Sequence, residues 1–231
     1  MEIKTGTEVK SVQELKAQGY DAVIVATGAN KPGTLKLEKG ETINALKFLR
    51  DFKATGGKVA LGKNVVVIGG GNTAMDTARA AKRTEGVEHV YLVYIRTKRY
   101  MPAAEDELLE VLEEGVEFKE LLSPVSLENG KLLCKKMELG SMDASGRAGV
   151  TETADVVEVP ADTVIVAVGE KIDTDFYTAN QIAVDERGKA KVNDKTLETS
   201  VSGVYVAGDG ARGAATIVEG IRDAQLAVKD I

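Results

Sequence analysis

Three residues, spaced Gly69-x-Gly71-x-x-Ala74, have the types and spacing that bind a dinucleotide. They sit in Lys63–Thr73, KNVVVIGGGNT, where the β-branched run Val65–Ile68 ends in Gly69, Gly70 and Gly71. A helical pattern follows from Asn72 to Thr84, and a second apolar run, Val87–Ile95, supplies the next strand. Gly69 makes the turn, Gly71 lets backbone approach a pyrophosphate, and Ala74 lets helix and strand pack closely. The phosphates would rest on backbone N–H groups of Gly69, Gly70, Gly71, Asn72 and Thr73, where the helix dipole favours negative charge. Asn72 is also of a type that caps a helix. The alternative is a glycine turn in an α/β fold that binds nothing.

The second strand ends in Tyr94-Ile95-Arg96, followed by Lys98 and Arg99. An NAD site usually has Asp or Glu at that point, to accept from the ribose hydroxyls. Here there is no carboxylate, and Arg96 and Arg99 would instead pair with a 2′-phosphate through charge-assisted bonds. NADPH is therefore the expected nucleotide; a solvated basic loop is the alternative. Tyr94-x-x-x-Lys98 has the spacing of a short-chain dehydrogenase pair, but those residues stand on a helix there and across a strand end here. Asp76, one turn into the helix, reads as a surface or hydrogen-bonding residue. Further glycines close apolar strands at Gly28 and Gly169, and Gly208-Asp209 closes Val204–Ala207. Carboxyl ends of strands are where α/β sheets hold ligands, though chain turning explains Gly28 and Gly169 equally well. No side chain stands out as acid, base or nucleophile, so no catalytic residue is assigned.

The elements that must position these residues follow from composition and pattern. Aromatic residues are only 4%, so Val, Ala, Leu and Ile carry the apolar side, which suits a parallel sheet covered by helices. The net charge of −6 argues against a general nucleic-acid binder. Cys134 is the single cysteine and His89 the single histidine, which removes an internal disulfide, a Cys-x-x-Cys pair and a histidine-based metal site. Cys134 reads as a small apolar filler. The apolar runs are of strand length, with no secretory or membrane-spanning segment, and the cytoplasm is the default compartment.

Along the chain, residues 31–62 read as a connector holding a short amphipathic helix, Ile43–Phe52. A helix is expected over Ala103–Glu114 and a strand over Val116–Leu122. Asn129-Gly130 marks a hairpin with Leu132–Leu139, then a soft loop over Gly140–Ala154 and a returning strand Val156–Val159. That small antiparallel meander would cover one edge of the sheet. Asp162–Gly169, DTVIVAVG, echoes Asp21–Gly28, DAVIVATG, as two related nucleotide-binding folds would; two buried strands matching by chance is the other reading. A hairpin is expected around Gly188, over Ile182–Val192. A final helix from about Thr216 to Lys229 would bury Ile217, Val218, Ile221, Ala224, Ala227 and Val228.

These pieces together resemble the flavin-dependent pyridine-nucleotide oxidoreductases with two dinucleotide domains, in the branch of the glutamate synthase small (β) subunit and dihydropyrimidine dehydrogenase. The resemblance covers essentially the whole chain. It rests on GKNVVVIGGGNTAMDTARAAKR (62–83), RTKRYMPA (96–103), Glu113–Val116 and Val204–Asp209. It implies an α/β fold in which a Rossmann-like, three-layer NAD(P)-binding domain (59–169) is inserted into a partial FAD-binding domain (1–58 and 170–231). It implies hydride transfer from NADPH to FAD, with electrons leaving by further centres. Gly169 would flank the nicotinamide and Gly28 the FAD. Asp209 would meet the ribityl and pyrophosphate region, with Gly208 beside it, and N–H groups at Ala215 and Thr216 would point at the flavin pyrimidine. A strand-end turn or helix cap is the bland reading of Asp209.

Two departures qualify the resemblance. Close relatives carry a first arginine where this chain has Ile95, so NADH is admitted as a second nucleotide. The FAD fingerprint and the iron–sulfur domain of the branch have no counterpart, so the chain is expected to be a fragment. Its partners would be a nicotinamide nucleotide, the missing FAD-domain segment, and electron-transfer domains or subunits.

Overall fold

In the structure, a computed structural model, residues 1–143 and 146–231 are described. The chain divides by packing into two compact units, Met1–Lys31 with Glu170–Ile231, and Pro32–Gly169. In chain order the first opens with α1 (Val12–Ala17), β1 (Val23–Val25) and β2 (Lys31–Pro32), the last of which runs into the second unit. The second unit then holds β3 (Ile43–Asn44), α2 (Ala45–Thr55), β4 (Asn64–Ile68), α3 (Asn72–Lys82) and β5 (His89–Tyr94). A 3₁₀ turn (Lys98–Tyr100) leads to α4 (Glu105–Glu113), β6 (Glu117–Glu120), β7 (Leu122–Glu128), β8 (Lys131–Met142), β9 (Ala148–Pro160) and β10 (Thr163–Val166). The first unit resumes with β11 (Glu170–Lys171), α5 (Asp175–Ala179), β12 (Val204–Val206), α6 (Asp209–Arg212) and α7 (Ile217–Asp230).

The second unit is three layers deep. Its middle layer is a parallel sheet in the order β3-β10-β4-β5-β6. Val65 and Val67 of β4 face a core with Phe48 of α2, Met75 and Ala78 of α3, and Leu108 and Val111 of α4. Val66 and Ile68 face the other way, into a core with Leu132, Cys134 and Val159 of the antiparallel sheet β7-β8-β9. A strand buried on both faces must be apolar throughout, which is why Val65–Ile68 shows no alternation. The meander thus covers a face of the sheet, not an edge as expected, because β7–β9 turn their apolar side onto Val66 and Ile68. Asn129 and Gly130 both have positive φ (51° and 73°), as the two-residue hairpin turn requires. The loop expected at 140–154 is mostly strand, since β8 and β9 pair as far as Met142 and Ala148; residues 144 and 145 lie outside the described residues.

Residues 31–62 are not a connector. β3 pairs with β10, and Ala45 and Phe48 of α2 are buried in the helical core, so 32–58 pack with the second unit. The packing boundary therefore falls after Lys31, ahead of the expected boundary at 58, because the apolar face of α2 is used by the parallel sheet. α2 ends on Gly56 in the left-handed region (φ 63°), whose N–H donates to the Phe52 carbonyl.

In the first unit β1 and β12 pair in parallel, Val23 with Val204 through Val25 with Val206. Val12, Val25, Tyr177, Ile182, Val204 and Val206 form its core. The hairpin expected over 182–192 is present as a short ladder around Gly188: Asp185 N–H donates to the Lys189 carbonyl and Lys191 N–H to the Ala183 carbonyl, both at 2.8 Å, on either side of the Val184–Ala190 bridge. Of the expected buried stripe of α7, Ala227 holds and the larger apolar residues do not. Ile217, Val218, Ile221 and Val228 are exposed, whereas Asp223 and Ala227 are buried. Polar anchors set that rotation: Asp223 takes the Arg212 guanidinium through two contacts, with Nε at 2.7 Å, and Asp230 accepts from the Tyr205 hydroxyl at 3.0 Å. Positions 223, 227 and 230 fall on one helical face, which leaves the apolar residues outside.

The Arg212 ion pair holds the Asp223 carboxyl below the usual carboxylate range. A depressed carboxylate stabilises the fold at neutral pH, and that share is lost as pH falls through its folded-state pKa. Asp223→Ala is expected to cost about 1 to 2 kcal/mol at pH 7, since the guanidinium loses its buried partner but stays partly solvated and keeps Glu219 at 3.3 Å. Denaturant unfolding at pH 7 and in mild acid checks this: the gap between wild type and variant should narrow in acid.

Candidate functional site

In the second unit the chain leaves β4 for β5 on one side, while β10 and β3 lie on the other. Strand order therefore reverses between β4 and β10, and the crevice beyond their carboxyl ends is the place where an open α/β sheet takes a ligand. Gly69 follows β4 there, and Ala167, Val168 and Gly169 follow β10.

Packing requires glycine at two of the three positions and not at the third. A Cβ on Gly69 would lie 2.3 Å from the Ala167 carbonyl oxygen and 3.1 Å from the Ala74 Cβ. A Cβ on Gly70 would lie 2.4 Å from the Tyr94 ring. Close packing of strand, helix and neighbouring strand excludes a side chain at both positions. At Gly71 nothing in the protein does: the nearest atom to a Cβ would be Pro102 Cγ at 3.9 Å, and φ is an ordinary −97°. The open space beside Gly71 lies at the start of α3, where Gly71 is the N-cap residue and offers no side-chain cap. A cradle that a Cβ would fill, at the positive end of an eleven-residue helix, fits a phosphate group.

Asn72 is the first residue of α3 and not its cap. Its Oδ1 accepts from the Ala104 N–H at 3.2 Å, and the Gly70 carbonyl accepts from Ala103 N–H at 3.0 Å. These two bonds tie the segment before α4 to the glycine turn. Tyr94 adds a third tie, since its buried ring lies against Gly70 and its hydroxyl donates to the Tyr100 carbonyl at 2.8 Å. The Tyr94 hydroxyl is thus engaged in holding the loop. Asp76 is exposed on α3. The Thr77 hydroxyl, buried one turn along, donates to the Thr73 carbonyl at 2.6 Å.

β5 stops at Tyr94, so Ile95 and Arg96 lie in the loop between β5 and the 3₁₀ turn. Arg96 is half-buried and donates Nε–H to the Ala148 carbonyl at 2.8 Å. Arg99 is exposed, with its guanidinium 5.9 Å from the Tyr100 ring centre. Among the described residues neither guanidinium is in an ion pair with a carboxylate. Gly169 has positive φ (95°), and its carbonyl accepts from the Gly33 N–H at 2.7 Å. Cys134 is fully buried in the core under the meander, which pushes its thiol up to about 12, so it does not ionise near neutral pH. Among the described residues no three metal-ligating side chains cluster, and no helix is long and apolar enough to cross a membrane.

The first unit places Gly28, Gly208 and Asp209 at the carboxyl ends of its two parallel strands. Gly28 (φ 70°) and Gly208 (φ 70°) both take the left-handed half of backbone space. Gly208 N–H donates to Asp223 Oδ2 at 3.1 Å, so the buried carboxylate of α7 also fixes the turn ahead of Asp209. Thr216 caps α7 in a reciprocal box with Glu219. Its own N–H is given to Glu219 Oε2 at 3.0 Å, so that amide, expected to point at a flavin pyrimidine, is engaged within the helix start. Ala215 precedes it and is exposed.

The sequence profile of the pyridine nucleotide-disulphide oxidoreductases matches residues 2–230. The chain belongs to this family. Proteins similar to it include the Escherichia coli (strain K12) oxidoreductase YgfK, 40% identical over 225 residues, which are 96% of this chain and 22% of that protein. The glutamate synthase [NADPH] small chain of Azospirillum brasilense is 33% identical over 247 residues, 96% of this chain and 50% of that one. Among solved structures, Mycobacterium tuberculosis FprA in complex with NADPH has the same fold, with a TM-score of 0.76, 22% identity, and coverage of 95% of this chain and 64% of that one. The chain spans between 22% and 55% of the length of such curated relatives.

Gly69→Ala is expected to lower stability by about 2 kcal/mol, because the carbonyl at its Cβ position is main chain and cannot rotate away. Gly71→Ala meets no atom closer than 3.9 Å and puts only a poorer residue at the N-cap, so it should cost less than about 1 kcal/mol. Thermal and denaturant unfolding of the two variants side by side checks the contrast.

Proposed function

We propose that the second unit binds NADPH, with the pyrophosphate at the start of α3, and that the protein serves an oxidoreductase passing reducing equivalents from NADPH to FAD and onward. The observation that supports this most is Gly71, whose missing side chain is required by neither backbone nor packing and which opens an uncapped helix start. Gly69, Gly70, Asn72 and Thr73 complete the turn: Gly69 and Gly70 let the backbone close up, and Asn72 braces the loop opposite through Ala104. Arg96 and Arg99 lie on the loop after β5, the strand whose end meets the adenosine ribose in this arrangement, and take the 2′-phosphate. Gly169, beyond β10, lines the nicotinamide side.

When bound, the nicotinamide supplies a hydride and the flavin accepts it. The chain's own part is to hold, orient and keep water from the cofactors. In the first unit Gly28, Gly208 and Asp209 lie where FAD would be held, and Ala215 and Thr216 begin the helix whose dipole faces it. Thr216 acts there through the dipole alone, since its N–H belongs to Glu219. A second reading, a nucleotide-binding module without turnover of its own, draws on the same open glycine at the start of α3 and on the absence, among the described residues, of a side chain placed as acid, base or nucleophile. It gives NADPH binding in a colourless protein.

Calorimetric titration with NADPH and NADH tests the proposal. Arg96→Glu is expected to weaken NADPH at least about tenfold and NADH by less than about twofold. Gly71→Val should weaken both equally, since the pyrophosphate is common to them. An equal loss of both nucleotides in the Arg96 variant would contradict the phosphate clamp.

A further inference from the structure

Arg96 is held from two directions by the antiparallel meander. Its side chain gives Nε–H to the Ala148 carbonyl at the start of β9, at 2.8 Å. Its main-chain carbonyl accepts from the Leu121 N–H, at 3.3 Å, where β6 ends and β7 begins. Leu121 is one of few non-glycine residues with positive φ (58°), a conformation that costs about 1 to 2 kcal/mol and persists only where surroundings demand it. Both of its main-chain groups are used: the N–H goes to Arg96, and the carbonyl accepts from Met137 N–H of β8 at 2.8 Å. The neighbouring Glu120 carboxylate accepts from the Lys98 N–H at 2.9 Å, fixing the 3₁₀ turn that carries Arg99. Ala148 is only 2% exposed, although Leu139 and Met142 on the facing strand are 40% and 58% exposed. Beyond Met137 the hairpin is thus more exposed, yet it is closed down again at Ala148, whose carbonyl meets the guanidinium.

A guanidinium fixed at Nε has its rotamers already restricted, while its terminal nitrogens are left to bind. We infer that the β8–β9 hairpin is a specificity-determining element, which through the Ala148 carbonyl and Leu121 sets Arg96 in place before the nucleotide arrives and thereby sets the preference for a 2′-phosphorylated dinucleotide. This rests on the reading of Arg96 given above. Ala148 and Leu121 are positioning residues and touch no nucleotide themselves.

The test shortens the hairpin, joining the register partners Glu138 and Thr151 by an Asn-Gly turn in place of 139–150, in the full chain. NADPH and NADH affinities are then measured in a double-mutant cycle with Arg96→Ala. The shortened chain is expected to lose about tenfold in NADPH affinity with NADH unchanged, and Arg96→Ala should then cost far less in it than in wild type. If Arg96→Ala removes the NADPH preference while the shortened chain keeps it, the hairpin inference fails and the phosphate reading stands. If Arg96→Ala leaves the preference intact, both fail. A second measurement needs no deletion: the Arg96 Nε–H resonance in the nucleotide-free chain should exchange slowly with water. Rapid exchange, slowed only by NADPH, would overturn a preformed clamp.

Discussion

The second unit depends on one close approach. Where β4 ends, the Ala167 carbonyl just past β10 and the Ala74 side chain of α3 come so near the Gly69 α-carbon that no β-carbon fits. That contact sets α3 tightly against two parallel strands, with Ala74 and Ala78 presenting small side chains to the sheet. It also places the start of the helix over the point where strand order reverses. Arg79 then braces the far side of α3 against α4 through Glu114 at 2.7 Å and Glu110 at 2.5 Å. An anion site made of main chain requires this rigidity, because amide groups cannot adjust by rotamer as side chains do.

Much of this was legible. Val65–Ile68 followed by three glycines and a run rich in alanine prescribes strand, turn and helix, because each residue type has a backbone reason to be there. The Asn129-Gly130 hairpin was equally plain. What escaped was whatever depends on a partner distant in sequence. The spacing of Asn72 does not show that its carboxamide turns to Ala104, 32 residues on, and does not cap its own helix. The spacing of Tyr94 to Lys98 does not show that the Tyr94 ring lies against Gly70 and its hydroxyl on the Tyr100 carbonyl. α2 looked like part of a linker because β3, which leads into it, is two residues long and joins the sheet only through β10.

α7 shows the same limit from the opposite side. Its apolar periodicity is real, yet the helix turns another face inward, because Asp223 and Asp230 find partners in Arg212 and Tyr205. Periodicity reports which faces a helix has; it does not report which one a buried ion pair selects. Leu121 left no signal at all, since a leucine in the left-handed region is dictated entirely by the strands on either side.

Amide-resolved NMR during titration of the intact chain with NADPH reads the proposed diphosphate seat, the main-chain amides where α3 begins, directly. The largest shifts should fall on Gly69 through Thr73 and saturate together, with smaller ones at Arg96. Saturable binding that leaves those five amides unmoved, or no binding at all, would contradict it.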